Sequence, residues 1–133
     1  MAEDSVFTKI INGELPCHKV YEDGYAFGFM DIHPIQPGHV LLVSKHQVSN
    51  FFELSDEEWR GLMAATKKVA KHMHEVFPDK ERIGVMIEGT DVDHAHVKLL
   101  PIDSGDDYRH EPDMTTEPDH DSLAEMAERL QIK

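Results

Sequence analysis

The chain has 133 residues, 40% of them hydrophobic and 29% charged, and its 26 acidic and 13 basic residues give a formal net charge of −13. This length fits one domain with its own core, residues 1–133, and is too short for two ordinary domains. The negative charge disfavours a nucleic acid polymer as a partner, whereas a small anion such as a nucleotide senses mainly the charges at its own site.

The sequence also indicates the cellular compartment in which we expect the protein. Apolar runs stay below the roughly 18 residues of a membrane span, and residues 1–5 lack the basic and apolar regions of a signal peptide. The single cysteine, Cys17, excludes an internal disulfide and a zinc site built on several cysteines. We therefore expect a cytoplasmic protein with no membrane partner.

The first elements are a short helix and a hairpin. In S-V-F-T-K-I-I-N-G the apolar residues recur at helical spacing, with Asp4 or Ser5 available as the N-cap and the glycine as the stop. The runs 19–22 and 25–30 have strand character and flank an Asp-Gly pair. This pair is typical of a tight turn, so the two runs predict a β-hairpin.

A third strand and the longest helix follow. The loop 31–38 holds two prolines and a glycine, which makes it rigid, and it leads into a strand at 39–44. Ser55 and Glu58 form a capping box at the start of a helix, whose apolar stripe continues until Pro78 ends it.

The last third of the chain predicts two strands, a loop and a terminal helix. Strands are expected at 82–88 and 94–100. The segment 103–121 is acidic with few apolar residues, which indicates a solvated loop. The helix 121–131 then opens with a second capping-box pattern at Ser122.

Five strands in hairpin-like succession, with one long helix between the third and the fourth, indicate the α+β class. We expect a five-stranded antiparallel sheet covered by the long helix and by the short terminal helices. The sequence contains no internal repeat.

The stretch V-D-H-A-H-V-K-L-L-P, residues 92–101, carries the candidate chemistry. Side chains alternate along a strand, so His94, His96 and Lys98 share one face while apolar residues occupy the other. This polar face could simply meet water, could bind a metal, or could place an imidazole nucleophile next to a phosphate. A zinc site is disfavoured because it needs three or four ligands and the lysine would repel the ion.

These residues resemble the signature H-φ-H-φ-H-φ-φ of the histidine triad (HIT) superfamily, in which φ is apolar. Two earlier stretches, F-T-K-I-I-N-G-E-L-P-C-H-K-V-Y-E-D and F-M-D-I-H-P-I-Q-P-G-H-V-L-L-V-S-K-H, are similar to the N-terminal half of the same family. The resemblance extends from Phe7 to Pro101 and implies a HIT-like fold.

The resemblance implies a homodimeric nucleotidyl hydrolase or transferase, of the phosphoramidase or dinucleoside polyphosphate hydrolase type, that needs no cofactor. His96 would attack the α-phosphate of a purine nucleotide and form a covalent nucleotidyl-histidine, and His94 and His39 would orient its ring. Asp31 matches the residue that receives the ribose hydroxyls. The apolar slot for the base would be formed by Val6, Phe7, Ile10 and Phe29, although a place in the core explains each of them equally well.

The chain departs from the family pattern at Lys98, where most hydrolases of the family have the third histidine. A lysine cation favours the neutral form of His96 and stabilises a phosphate. It is a poor proton donor, so we predict a preference for leaving groups that need little protonation, such as phosphate or polyphosphate. The alternative is a nucleotide-binding module with weak or no catalysis.

Two further departures concern zinc and the loop before the strand. Ser5 and Thr8 stand where zinc-binding branches have a cysteine pair, so no structural zinc is expected. Asp91 stands where some branches have a serine that donates a hydrogen bond toward the leaving group, which places it among the substrate-binding candidates. Asp91 or Asp93 could pair with Lys98, but the favoured interpretation is that both are solvated loop acids.

Overall fold

A computed structural model describes residues 3–109, 111–112 and 114–132 of the chain. Its helices and strands follow in the order α1 (Val6–Ile11), β1 (Lys19–Glu22), β2 (Ala26–Met30), β3 (Val40–Ser44), α2 (Asp56–Val76), β4 (Arg82–Met86), β5 (His96–Ile102) and α3 (His120–Leu130). Short 3-10 helices at Phe51–Glu53 and Gly105–Arg109 lie before α2 and after β5.

The strands form one antiparallel sheet in the order β1-β2-β3-β5-β4. Strand β5 therefore lies between β3 and β4. Its Lys98 is opposite Leu41 on one side and Met86 on the other, and His96 is opposite Val43. The predicted α+β class, the antiparallel sheet and the place of the long helix between the third and fourth strands are confirmed.

The two faces of the sheet have different coverings. Val97 and Leu99 of β5 belong to the main core, which includes Leu62 and Val69 of α2 and the apolar residues of α3. On the opposite face, Phe7 of α1 packs in a second apolar cluster with residues of β2 and β3: Phe27, Phe29, Leu41 and Val43. The alternation predicted for β5 is correct, because His96 and Lys98 lie on the α1 face.

Strand β5 begins later than the sequence pattern predicts, at His96 instead of His94. The amide of His94 donates to the Val92 carbonyl in a local turn, and the amide of Ala95 donates to Val48, beyond the end of β3. The third strand likewise begins at Val40, because the amide of His39 is used in a turn with Gln36. Both histidines therefore lie at strand ends and not within the ladder.

The helix caps are only partly as predicted. Ser5 caps α1, and Ser55 and Glu58 form the reciprocal capping box of α2. The capping box predicted at Ser122 is wrong, because Asp119 caps α3 by accepting a hydrogen bond from the Ser122 amide. Among the described residues no helix is long and apolar enough to cross a membrane.

Candidate functional site

A cleft of about 760 Å³ opens on the α1 face of the sheet, between α1, the loop after β2 and the start of β5. Its walls are mainly apolar, and its polar groups converge at the β5 end. It is lined by Val6, Phe7, Ile10, Phe29, Asp31, Asp91, His96 and Lys98 among the residues singled out from the sequence. His39 and His94 are buried behind this lining, at 1% and 0% exposure.

The apolar wall of the cleft is formed around α1. Phe7 is buried against Phe29, with ring centroids 5.6 Å apart in an edge-to-face arrangement. The same ring lies edge-on to His96, at 5.1 Å between centroids. Val6 is 43% exposed and lines the cleft, so it is open to a ligand. Phe7 and Phe29 therefore belong both to the core and to the cleft wall.

The ring of His96 is fixed by its own strand. Its Nδ1 lies 2.7 Å from the carbonyl oxygen of His94. A carbonyl can only accept, so Nδ1 carries the proton and donates it. A neutral ring in this tautomer keeps a lone pair on Nε2. Because His96 lines the cleft, this nitrogen is a candidate nucleophile.

Both ring nitrogens of His94 are engaged. Nε2 donates to the carbonyl of Ser44 at 2.6 Å, so Nδ1 accepts from the hydroxyl of Ser5 at 2.6 Å. Burial is the main cause that lowers the pKa of His94, which keeps the ring neutral. His94 therefore connects α1 to the end of β3 and has no nitrogen left for proton transfer in the cleft.

A polar cluster fastens the first turn of α1. The Gln47 side-chain oxygen accepts from the Ser5 amide at 2.8 Å and from the Thr8 hydroxyl at 2.6 Å. Within the described part of the chain no group of three or more His, Cys, Asp or Glu side chains could hold a metal ion. The sequence drew attention to Ser5 and Thr8 because they stand where zinc-binding branches of the family have a cysteine pair. No sequence pattern indicates that Gln47 contributes to this cluster.

His39 contributes a buried donor to the edge of the site. Its Nδ1 accepts from the amide of Ile35 at 3.1 Å, so the neutral ring carries its proton on Nε2. Burial, together with the positive charge of Lys98 and the ring of His96, lowers the pKa of His39 to about 3. Its Nε2 is 3.6 Å from Asp31 Oδ2, which is too long for a hydrogen bond. Among the residues that the structure describes this nitrogen has no hydrogen-bond partner.

Asp31 faces the cleft from the loop after β2. One carboxylate oxygen accepts from the amide of His33 at 2.8 Å, and burial raises the pKa of the carboxyl. Because His39 stays neutral, its contact with Asp31 is not an ion pair. Within the described ranges the second oxygen, Oδ2, is 3.6 Å from His39 Nε2 and can accept a hydrogen bond from a ligand or from water.

Lys98 is held by two carboxylates. Its ammonium lies 2.5 Å from Glu88 Oε1 and 2.8 Å from Asp91 Oδ2. Asp91 is exposed as expected of a loop acid, but the favoured interpretation that it is unpaired is wrong, because it pairs with Lys98 as the alternative predicted. Asp93 instead accepts a hydrogen bond from Ser49. Glu88 was expected in a strand, and only the turn after β4 brings it to the lysine.

Comparison with known protein families shows to which family the chain belongs. The model of the family described as HIT domain matches residues 12–105. The chain belongs to the HIT family. An uncharacterized HIT-like protein of Methanocaldococcus jannaschii is 35% identical over 104 residues, which cover 76% of this chain and 81% of that protein. An adenosine 5'-monophosphoramidase of Schizosaccharomyces pombe is 33% identical over 100 residues, which cover 72% of each chain.

Solved structures of HIT proteins have the same fold. A HIT-like protein involved in cell-cycle regulation from Bartonella henselae has a TM-score of 0.81 and 28% sequence identity, and the match covers 98% of this chain and 96% of that one. The membership and the HIT-like fold implied by the sequence resemblance are thus confirmed.

Proposed function

We propose that this HIT protein is a nucleotide-binding hydrolase or nucleotidyltransferase that attacks the α-phosphate of a purine nucleotide through His96. The observation that carries the proposal is the hydrogen bond from His96 Nδ1 to the His94 carbonyl, 2.7 Å long. It leaves Nε2 as a nucleophile in the cleft. The similarity to an adenosine 5'-monophosphoramidase supports the same reaction class.

The reaction proceeds in two displacements. The lone pair of His96 Nε2 forms a bond to the α-phosphorus while the bond to the leaving group breaks, and the leaving group takes the electron pair. A phosphate or polyphosphate leaves as its anion, whereas the amine of a phosphoramidate takes a proton from water. The product is a covalent nucleotidyl-histidine. Water or another acceptor then attacks the phosphorus and loses a proton to the solvent, while the P–N bond breaks and its electron pair returns to Nε2.

In this proposal each part of the substrate has its own place in the cleft. The base lies in the apolar slot made by Val6, Phe7, Ile10 and Phe29. The ribose hydroxyls donate to the free carboxylate oxygen of Asp31. The phosphate lies at the β5 end between His96 and Lys98, where the ammonium offsets its negative charge.

The substrate class, the oligomeric state and the compartment are also proposals. The yeast relatives named adenosine 5'-monophosphoramidases support a nucleoside phosphoramidate as a substrate, whereas the poor proton donor Lys98 favours a dinucleoside polyphosphate, so both classes are proposed. We further propose that the single HIT-like domain works as a homodimer in the cytoplasm, without a cofactor. Light scattering of the purified protein tests the dimer.

The activity is tested with purified protein and adenosine 5'-phosphoramidate. The proposal predicts release of AMP by the wild type and loss of this release in His96→Ala. A chelator is expected to leave the rate unchanged. AMP release that survives in His96→Ala would refute the assignment of the nucleophile.

The second candidate is a nucleotide-binding module with weak or no catalysis. The observation in its favour is the engagement of the Lys98 ammonium by Glu88 and Asp91, which makes this residue a poor proton donor. In that case isothermal titration detects binding of AMP to the wild type, and no AMP is released from either substrate class. Turnover that depends on His96 excludes this candidate.

A further inference from the structure

Lys98 and its two acidic partners form a unit at the phosphate end of the cleft. The side chain of Lys98 is only 7% exposed, whereas those of Glu88 and Asp91 are 40% and 66% exposed. Water reaches the side chains of the two acids far more than that of the lysine. The charge of Lys98 is therefore stabilised in this site by its two partners.

The turn between β4 and β5 has the backbone conformation that this unit needs. Glu88 and Asp91 are three residues apart, and Gly89 between them has a φ of +74°. A residue with a side chain adopts this conformation only with strain. A Cβ atom at Gly89 would meet no atom within 4 Å, so the backbone path and not a lack of space favours glycine. This path lets both carboxylates reach the same ammonium.

The acidic groups around Lys98 favour its protonated, charged form. Burial alone would lower the pKa of Lys98, but the hydrogen bonds and charges of Asp91 and Glu88 raise it above its ordinary value. In return, the hydrogen bond from Lys98 lowers the pKa of Asp91. Asp31 and His39, at the ends of the loop before β3, also interact with the charge of Lys98, and His96 lies two residues away on the same face of β5. His39 remains neutral, and Asp31 adds a further negative charge.

We propose that Glu88 and Asp91 are positioning residues that hold the Lys98 ammonium, in its charged form, at the phosphate end of the cleft. Lys98 then acts as a fixed positive charge toward the phosphate undergoing transfer, and the proton stays on its nitrogen throughout the reaction. This inference rests on the proposed attack by His96 and adds two residues that act on the substrate through Lys98.

A simpler electrostatic view makes the opposite prediction. If the two acids only added negative charge near the phosphate, their neutralisation would strengthen substrate binding and raise the rate. If they position Lys98, their neutralisation frees the ammonium to move and to lose its proton, and kcat falls. The sign of the change in kcat therefore separates the two views.

The experiment compares Glu88→Gln, Asp91→Asn and the double variant with wild type on adenosine 5'-phosphoramidate. The expected result is a kcat lowered about tenfold in the double variant, with smaller losses in the single variants and a KM within about twofold. Glu125→Gln is the matched control, because it removes the same charge from an exposed position on α3, across the sheet from the cleft. Its kinetic constants are expected to equal those of wild type.

A nuclear magnetic resonance titration of the Lys98 side chain gives a second readout that needs no turnover. In wild type its pKa is expected above the ordinary value, and in the double variant below it, because burial remains after the carboxylates are lost. The fall of kcat at alkaline pH should move down with it. Lys98→Arg identifies the signal of Lys98.

The outcomes distinguish this inference from the proposed function. An unchanged or higher kcat in the double variant, or a Lys98 titration that does not move, overturns the role of the two acids. Absence of turnover in wild type overturns the proposed function, and the titration still decides whether the acids hold Lys98. If the double variant does not fold, Gly89→Ala keeps both carboxylates, strains only the turn, and should lower kcat in the same way.

Discussion

The hydroxyl of Ser5, at the start of α1, donates a hydrogen bond of 2.6 Å to Nδ1 of His94, 89 residues further along the chain. His94 in turn accepts the Nδ1 proton of His96 on its backbone carbonyl. These two hydrogen bonds, joined through the residue His94 itself, link the start of α1 to the ring of His96, the proposed nucleophile.

Ser5→Ala is expected to lower both stability and kcat. The variant loses the N-cap of α1, which costs about 1 kcal/mol in the free energy of unfolding, and it leaves Nδ1 of His94 buried without its donor. The resulting freedom of His94 and His96 should lower kcat about tenfold. Asp119→Ala removes the N-cap of α3 away from the cleft and is the control. It should show a similar loss of stability with an unchanged kcat, and equal kinetic losses in both variants would contradict the role of Ser5.

The low pKa of His39 predicts that the protein loses stability in acid. The unfolded chain binds a proton at His39 below about pH 6.5, whereas the folded protein binds it only near pH 3. The stability due to neutral His39 is complete above pH 6.5 and is lost as the pH falls toward 3, by up to about 1.4 kcal/mol per pH unit. Urea unfolding of wild type and His39→Gln at several pH values measures this slope. The variant should have the shallower slope, and equal slopes would argue against a neutral buried His39.

Asp31→Asn tests the ribose contact. The variant keeps the shape of the side chain but replaces one acceptor oxygen with a donor, so a ribose hydroxyl loses its charged partner. We expect KM for a ribonucleotide substrate to rise about tenfold. A 2'-deoxy substrate is the internal control, since it has one hydroxyl fewer for Asp31 and should be affected less. The same rise in KM for both sugars would place the ribose elsewhere.

Lys98→His tests whether the residue at position 98 determines which leaving groups the protein prefers. Histidine gives up a proton near neutral pH, whereas lysine does not. The variant should therefore gain rate on a substrate with a poor leaving group relative to one that leaves as a phosphate or polyphosphate. Rates of the two substrates measured side by side give this ratio. A ratio that equals that of wild type refutes the predicted preference.

Much of the fold was predictable because it depends on local patterns. The alternation along β5 places Val97 in the core and His96 in the cleft, and the capping box at Ser55 marks the start of α2. The same alternation singled out His94, His96 and Lys98, and the resemblance to the HIT family supplied their roles and the other candidate site residues. The strand ends at His39 and His94 were mispredicted because turns and loops use their backbone groups.

The contacts that complete the site depend on distant parts of the chain. Gln47 reaches Ser5 across 42 residues, and no sequence pattern relates the two. Glu88 and Lys98 are 10 residues apart, but they meet only because β4 and β5 are neighbours and the turn at Gly89 bends back. Such contacts follow from the register of the folded sheet, which composition and periodicity do not specify.

The measurement that tests the central claim most directly is the trapping of the covalent intermediate. The protein is incubated with an α-phosphate-labelled adenosine 5'-phosphoramidate, quenched under non-acidic denaturing conditions, and mapped by mass spectrometry. The predicted result is an acid-labile adenylyl adduct on His96 that is absent in His96→Ala. An adduct on another residue, or turnover that persists in His96→Ala, would contradict the account.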